Sequence, residues 1–186
     1  SNAEPKPLSD YGNKAINELA TCIRTSESLD VFYLIDASLS LKRTDPTKKR
    51  KEIVAEDIKR WASISKLRPN LRIQVAGASF AATSSSLVSW RDLTSSNSES
   101  VASTFSSRID NLTLGNRTNW KAGLQEAYSQ LSSRSSNCKA VIWFTDGGLW
   151  SQGNRIDSLS DLADICGPSN DGNLPRESSA DGLMAT

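Results

Sequence analysis

The segment VFYLID, Val31–Asp36, runs directly into ASLS, so that an apolar stretch leads into the pattern D-x-S-x-S at positions 36–40. A continuous apolar run that ends in an acid is typical of a strand buried on both faces, as in a parallel sheet. The run KAVIWFT at 139–145 has the same character and leads into Asp146. The two runs predict two central strands whose carboxyl ends carry polar side chains.

Further strands and amphipathic helices surround these two runs. Apolar residues at helical spacing predict helices, and shorter mixed or alternating stretches predict strands. Their alternation predicts an α/β protein, a Rossmann-like three-layer sandwich with a mostly parallel central sheet and helices on both faces. The predicted elements are a helix at 13–24, a long helix starting at Asp45-Pro46, a strand at 71–81, an edge strand at 87–92, helices near 101–112 and from Asn119, and a last helix at 156–165.

Composition excludes several classes of function. The 186 residues hold 22 Lys and Arg against 21 Asp and Glu, a net charge of +1, which argues against a nucleic-acid partner held by bulk basicity. Mean hydropathy is −0.42, and no apolar run approaches the roughly 20 residues of a membrane-spanning helix, so direct membrane insertion is not expected. The absence of histidine excludes Ser-His-Asp and Cys-His catalysis and every His-ligated metal site.

The chain divides into four predicted parts. Ser1–Ala3 resembles a tag remnant, and with it residues 1–12 are expected to be disordered. Residues 13–28 form a helical flank, 29–167 form the main domain, and 168–186 form a loop-like tail.

The three cysteines are Cys22, Cys138 and Cys166, and none forms a C-x-x-C pair. Cys22 and Cys166 flank the predicted core and could pair in an oxidising compartment, which leaves Cys138 as a small apolar residue at the entry to its strand. Three free thiols are the alternative.

Five side chains from three separate stretches carry oxygens to one edge of the predicted sheet. In open α/β sheets ligands bind at the carboxyl ends of the strands. Hard cations, Mg²⁺ above all, prefer such carboxylate and hydroxyl oxygens. Each serine or threonine alone could instead cap a helix or a turn, and each aspartate could bind backbone amides. The five residues are Asp36, Ser38, Ser40, Thr118 and Asp146.

From about Leu29 to about Cys166 the chain resembles a von Willebrand factor type A (vWA) domain. The D-x-S-x-S stretch at 36–40 is similar to that family's metal-ion-dependent adhesion site, and Thr118, within GNRTNWKAGL at 115–124, and Asp146 stand at its later elements. The resemblance implies that the hydroxyls of Ser38, Ser40 and Thr118 surround Mg²⁺, or Mn²⁺ or Ca²⁺. Asp36 and Asp146 would lie close, directly or through water.

The resemblance also implies a function. In this family an acidic residue of a partner protein completes the metal's coordination, so the expected protein is a secreted or cell-surface adhesion module rather than an enzyme. The family fold continues with further strands beyond the 139–145 strand, and none is recognisable here after Asp146. That strand is therefore expected to form an exposed apolar edge, through which a homodimer could form.

Two other classes remain open. Similar domains serve as subunits of intracellular assemblies, and localisation would then be cytoplasmic. An acid that ends a buried strand is also found in aspartate-based phosphotransferases, although these usually have a second acid where this chain has Ser38. A Ser-Lys hydrolase is formally possible because Lys42 lies near Ser38 and Ser40, but no G-x-S-x-G elbow supports it.

Overall fold

The computed structural model describes residues 10–145 and four short strands beyond them, with side chains described from Asn13 to Thr145. No helix in these described parts is both long and apolar enough to span a bilayer. The helices are α1 (Asp10–Thr25), α2 (Leu41–Thr44), α3 (Lys49–Leu67), α4 (Ser98–Asp110) and α5 (Trp120–Ser132). The strands are β1 (Ser28–Asp36), β2 (Arg72–Phe80), β3 (Ser84–Leu93), β4 (Cys138–Phe144), β5 (Trp150–Ser151), β6 (Asn154–Arg155), β7 (Arg176–Glu177) and β8 (Leu183–Ala185).

Six strands form one sheet in the order β3-β2-β1-β4-β8-β7. The central strand β1 pairs in parallel with β2 on one side and with β4 on the other. Strand β3 runs antiparallel to β2 at the edge predicted for it, and β5 and β6 pair only with each other. The α/β class and the parallel centre of the sheet are therefore confirmed.

Alternation along β1 divides the interior into two layers. The odd-numbered residues Val31, Tyr33 and Ile35 pack in a cluster with side chains from α1, α3 and α4. The even-numbered Phe32 and Leu34 pack with side chains from α5 on the opposite face. Because successive side chains of a strand point to opposite faces, an uninterrupted apolar run is what a strand covered by helices on both sides needs.

Helix α5 lies close against the sheet because it carries Gly123. A Cβ atom at this position would come within 2.9 Å of the Phe80 ring, closer than packed side chains tolerate. The glycine therefore sets the distance of α5 from the sheet, and with it the position of the loop that precedes this helix.

Two predicted helix starts are wrong. Helix α1 begins at Asp10, within the stretch expected to be disordered. Helix α3 begins at Lys49 rather than at Asp45-Pro46, since Lys48 has a left-handed backbone with φ of 56°. Asp45 still caps this helix, because its carboxylate accepts a hydrogen bond of 2.6 Å from the Lys49 amide. The helix predicted at 156–165 lies outside the described residues.

The expectation that β4 is an exposed edge without later neighbours is also wrong. Strand β8 pairs antiparallel with β4, with Ala185, Met184 and Leu183 opposite residues 140–142. Strand β7 pairs in turn with β8, so two short strands occupy part of the tail predicted as loop. Strand β8 covers residues 140–142 of β4, and the homodimer expected through this side of the sheet stays a prediction.

The disulfide joins Cys22 to Cys138, not Cys22 to Cys166. Cys22 lies near the end of α1 and Cys138 begins β4, and their Cα atoms are 5.8 Å apart. Helix α1 packs beside β4, which brings together two residues separated by 116 positions in the chain. The expected partner, Cys166, lies outside the described residues.

We expect peptide mapping under non-reducing conditions to recover a Cys22–Cys138 linked peptide and Cys166 as the free thiol. The double variant Cys22→Ala, Cys138→Ala should lose about 2–5 kcal/mol of unfolding free energy in urea, because it releases a long closed loop in the unfolded chain. Cys166→Ala is the matched control and should keep the stability of the parent. A Cys22–Cys166 linked peptide would contradict this pairing.

Candidate metal centre

The carboxyl end of β1 is the topological switch point of the sheet. Strands β2 and β4 lie on opposite sides of β1 and run parallel to it. The connections that leave these strands therefore diverge, and a crevice opens at their carboxyl ends, which is where ligands bind in open α/β sheets. Asp36 is the last residue of β1 and so lies at this crevice.

The carboxylate of Asp36 is fully buried and is held at both of its oxygens. Oδ1 accepts a hydrogen bond of 2.7 Å from the Ser38 amide, and Oδ2 accepts one of 2.8 Å from the Thr145 hydroxyl. A carboxylate without such donors would be costly to bury. Thr145 directly follows β4, so this one side chain shapes the turn after β1 and connects it to the neighbouring strand.

The hydroxyls of Ser38 and Ser40 lie side by side. Their Oγ atoms are hydrogen-bonded to each other at 2.9 Å, and Ser38 is buried while Ser40 is exposed. Two adjacent ligands of an octahedral Mg²⁺ at about 2.0–2.1 Å are also separated by about 2.9 Å. The hydrogen-bonded serines therefore have a spacing that is compatible with neighbouring positions around such an ion.

The helix-cap alternative does not hold for Ser40 or Thr118. Ser40 occupies the N-cap position of α2, yet its side chain makes no cap hydrogen bond. The cap of α5 is Asn119, whose side chain accepts a hydrogen bond of 3.2 Å from the Ala122 amide.

The loop that carries Thr118 is fastened to the serine turn through its backbone. The Leu39 amide donates to the Gly115 carbonyl at 2.9 Å, and the Gly115 amide donates to the Ala37 carbonyl at 2.8 Å. The Asn119 amide donates to the Ala81 carbonyl at 2.7 Å, just beyond β2. Thr118, which is half-buried, lies between these two attachments.

Three of the five predicted residues are therefore brought together directly, namely Asp36, Ser38 and Ser40, and the loop of the fourth lies against them. Asp146 lies outside the described residues, one position after Thr145. Thr145 itself was not predicted to have a role at the site. Its place at the end of a buried apolar strand, next to an expected ligand, is the signal that could have identified it.

The donors around this crevice fit a hard cation. All the side-chain donors that the structure places there are oxygens, and hydroxyls outnumber carboxylates among them. Within the described part of the chain no cluster of three or more Cys, Asp or Glu side chains could hold a metal. A divalent ion in this crevice would rest mainly on neutral hydroxyls and keep most of its charge.

Comparison with known proteins establishes the fold. No family model and no curated protein matches the sequence, but 41 chains among the solved structures do match. The PilB minor pilin from Streptococcus sanguinis has a TM-score of 0.52 at 19% identity, over 87% of this chain and 42% of that one. The vWF domain of the type V pili tip protein Mfa5 from Porphyromonas gingivalis has a TM-score of 0.50 at 17% identity, over 66% of this chain and 39% of that one.

The chain has a vWA-like fold. It spans about two fifths of the length of these two solved chains. In this vWA-like fold the stretch D-x-S-x-S at 36–40 begins at the crevice at the end of β1.

We expect Thr145→Val to destabilise the protein by about 1–3 kcal/mol, because it removes the hydrogen bond that the Thr145 hydroxyl donates to the buried Asp36 carboxylate. Thr47→Val changes an exposed threonine in the turn before α3 in the same isosteric way and should cost less than about 0.5 kcal/mol. Urea unfolding followed by circular dichroism measures both variants. Equal losses in the two would show that the Thr145 hydrogen bond does not hold the crevice together.

Proposed function

We propose that this protein is a divalent-metal-dependent protein-binding module of the adhesion type, secreted or displayed at a cell surface. Its metal would be Mg²⁺, or Mn²⁺ or Ca²⁺, held by Asp36, Ser38, Ser40, Thr118 and Asp146, and its partner a protein that presents an acidic residue. The observation that carries the proposal is the pair of serine hydroxyls 2.9 Å apart beside the buried Asp36 carboxylate, at the switch point of the sheet.

The five residues would have two different roles. The hydroxyls of Ser38, Ser40 and Thr118 are proposed as direct ligands. Asp36 is proposed to act through water, since both of its oxygens already accept hydrogen bonds within the protein. Its negative charge would still favour the cation at short range, and Asp146 would add a second charge.

Neutral ligands explain why a partner carboxylate would be recognised. A cation that rests on hydroxyls and water keeps more of its positive charge than one surrounded by carboxylates, so an incoming anionic oxygen gains a strong interaction. An amide or hydroxyl of a partner would gain less. The module would therefore select acidic residues.

Binding is favoured over the phosphotransferase alternative by the burial and hydrogen bonding of Asp36. As the nucleophile of a phosphotransferase it would need an accessible oxygen, whereas here the residue has no exposed surface and both oxygens accept hydrogen bonds. This arrangement suits a positioning anion better than a nucleophile.

Two observations support export over an intracellular assembly role. The Cys22–Cys138 disulfide is of the kind that persists in oxidising compartments. The proteins of similar fold named above are a pilin and a pilus tip protein.

Calorimetric titration with Mg²⁺ tests the metal site. We expect Ser40→Ala to weaken binding by about tenfold or more, because it removes one proposed ligand from an exposed position where the substitution does not disturb the core. Ser86→Ala, on the exposed face of edge strand β3, is the matched control and should titrate like the parent. Equal affinities in all three proteins would exclude a metal site at the serine pair.

A second titration tests recognition of an acidic residue. The peptide acetyl-Gly-Asp-Gly-amide should shift amide resonances of residues 37–40 and 115–118 in the presence of Mg²⁺ and not in EDTA. Acetyl-Gly-Asn-Gly-amide, of the same length but without the charge, should shift none of them. If the Asp peptide causes the same shifts with Mg²⁺ as in EDTA, its recognition does not depend on the metal, which would contradict the proposal.

A further inference from the structure

A cavity of about 450 Å³ lies next to the candidate metal centre. Leu41 and Lys42, which directly follow Ser40, line one side, and Leu112–Leu114, which directly precede Gly115, line another. Gly115 is hydrogen-bonded to the serine turn, so both sides of the cavity continue from the two loops of the candidate centre. Its volume is within the range of about 300–1,000 Å³ found for small-molecule sites.

Three cationic side chains line this cavity, which we call the basic pocket: Lys42, Lys48 and Arg50. Asp45 is the acidic residue in the lining, and its carboxylate is engaged by Arg50 Nη1 at 2.7 Å and by the Lys49 amide. Lys42 forms no ion pair with any described residue and is exposed. Positive charge is therefore in excess on this lining.

A second carboxylate, that of Asp110, contacts the pocket residue Lys48 but does not remove the excess of positive charge. Asp110 accepts hydrogen bonds from Lys48 at 2.9 Å and from Lys51 at 3.4 Å. These bonds lower the pKa of Asp110 below its ordinary value, so it is ionised at neutral pH. Its single negative charge is shared between Lys48 and Lys51, so this group of three side chains keeps a net positive charge.

Arg50 contributes charge to the pocket rather than a free donor. The residue lines the pocket but is only 6% exposed, and its Nη1 is bound to the Asp45 carboxylate at 2.7 Å. Its Nε–H is buried and has no hydrogen-bond partner, and it has no accessible surface that a ligand could reach. The groups left to contact an anion directly are therefore the two lysines, and an ionised ligand gains the stronger, charge-assisted hydrogen bonds from them.

We propose that the basic pocket binds a carboxylate of an acidic peptide segment, as a second anchoring point beside the metal. That this segment belongs to the partner rests on the proposed function. The pocket is lined by residues that directly follow Ser40 and directly precede Gly115, so a partner chain held at the metal would have its neighbouring residues close to the pocket. Binding of the carboxylate in the pocket itself requires no metal. The apolar side chains of Leu41, Leu112 and Leu114 would accompany the aliphatic part of a glutamate.

The test is a titration in EDTA with acetyl-Glu-Glu-Glu-Glu-amide, followed by amide resonances at near-physiological salt. We expect shifts at Leu41, Lys48–Arg50 and Leu112–Leu114, and none with the neutral peptide acetyl-Gln-Gln-Gln-Gln-amide. Because EDTA removes divalent ions, this experiment tests the basic pocket alone. Its outcome does not depend on whether the serine pair binds a metal.

Charge reversal at Lys42 locates the binding. Lys42→Glu should weaken the peptide about tenfold, the effect of losing one charge-assisted hydrogen bond. Lys66→Glu makes the same change of net charge at an exposed position in the last turn of α3 and should bind as the parent does. Shifts confined to other residues, no shifts at all, or equal weakening by both variants would overturn the proposal.

Discussion

The structure of the candidate site depends on one buried anion. The Asp36 carboxylate is buried where β1 ends, and two of its hydrogen bonds join different parts of the chain, one to the turn that follows β1 and one to Thr145 after β4. The hydrogen bond from the Ser38 amide to Asp36 closes a tight turn, and in this turn the hydroxyls of Ser38 and Ser40 lie within hydrogen-bond distance of each other. The bond to Thr145 ties that turn to the next strand of the sheet. Burial makes both bonds necessary, because an ionised group inside the protein needs them.

Around this anion the fold supplies rigid support from several directions. Strand β1 is enclosed by parallel neighbours on both sides and by helices on both faces, so its end cannot shift without disturbing the core. Gly123 lets α5 approach the sheet, and backbone bonds of Gly115 and Asn119 fix the loop before that helix. A cation at the crevice would meet ligands already held near their positions, which lowers the entropic cost of binding.

Much of this arrangement could be predicted from local sequence. The unbroken apolar run of VFYLID indicated a strand covered on both faces. Polar residues after this run and after the run at 139–145 indicated that their side chains lie at the same edge of the sheet. What failed depended on contacts distant in the chain. The pairing of Cys22 with Cys138 follows from where α1 packs, and the three residues of β8 are too few to show any periodicity.

The helix start and Thr145 illustrate a second limit. Asp45-Pro46 has the composition of a helix start, and Asp45 does cap α3, but from four residues ahead and across a left-handed Lys48. The composition of a capping stretch does not fix its spacing. Thr145 gains its role only because β4 lies next to β1, a neighbour relation that the sequence does not state.

The Cys22–Cys138 bond also has a mechanical consequence. It closes a covalent ring that contains Asp36, the serine pair and Thr118. Tension applied to the chain before the first cysteine and after the second would pass through the sulfur bridge and not along the covalent backbone inside the ring. It would instead reach Asp36 through the neighbouring strand, because Thr145 lies after the second cysteine and is hydrogen-bonded to Asp36, and Asp146 follows Thr145 on the same stretched segment.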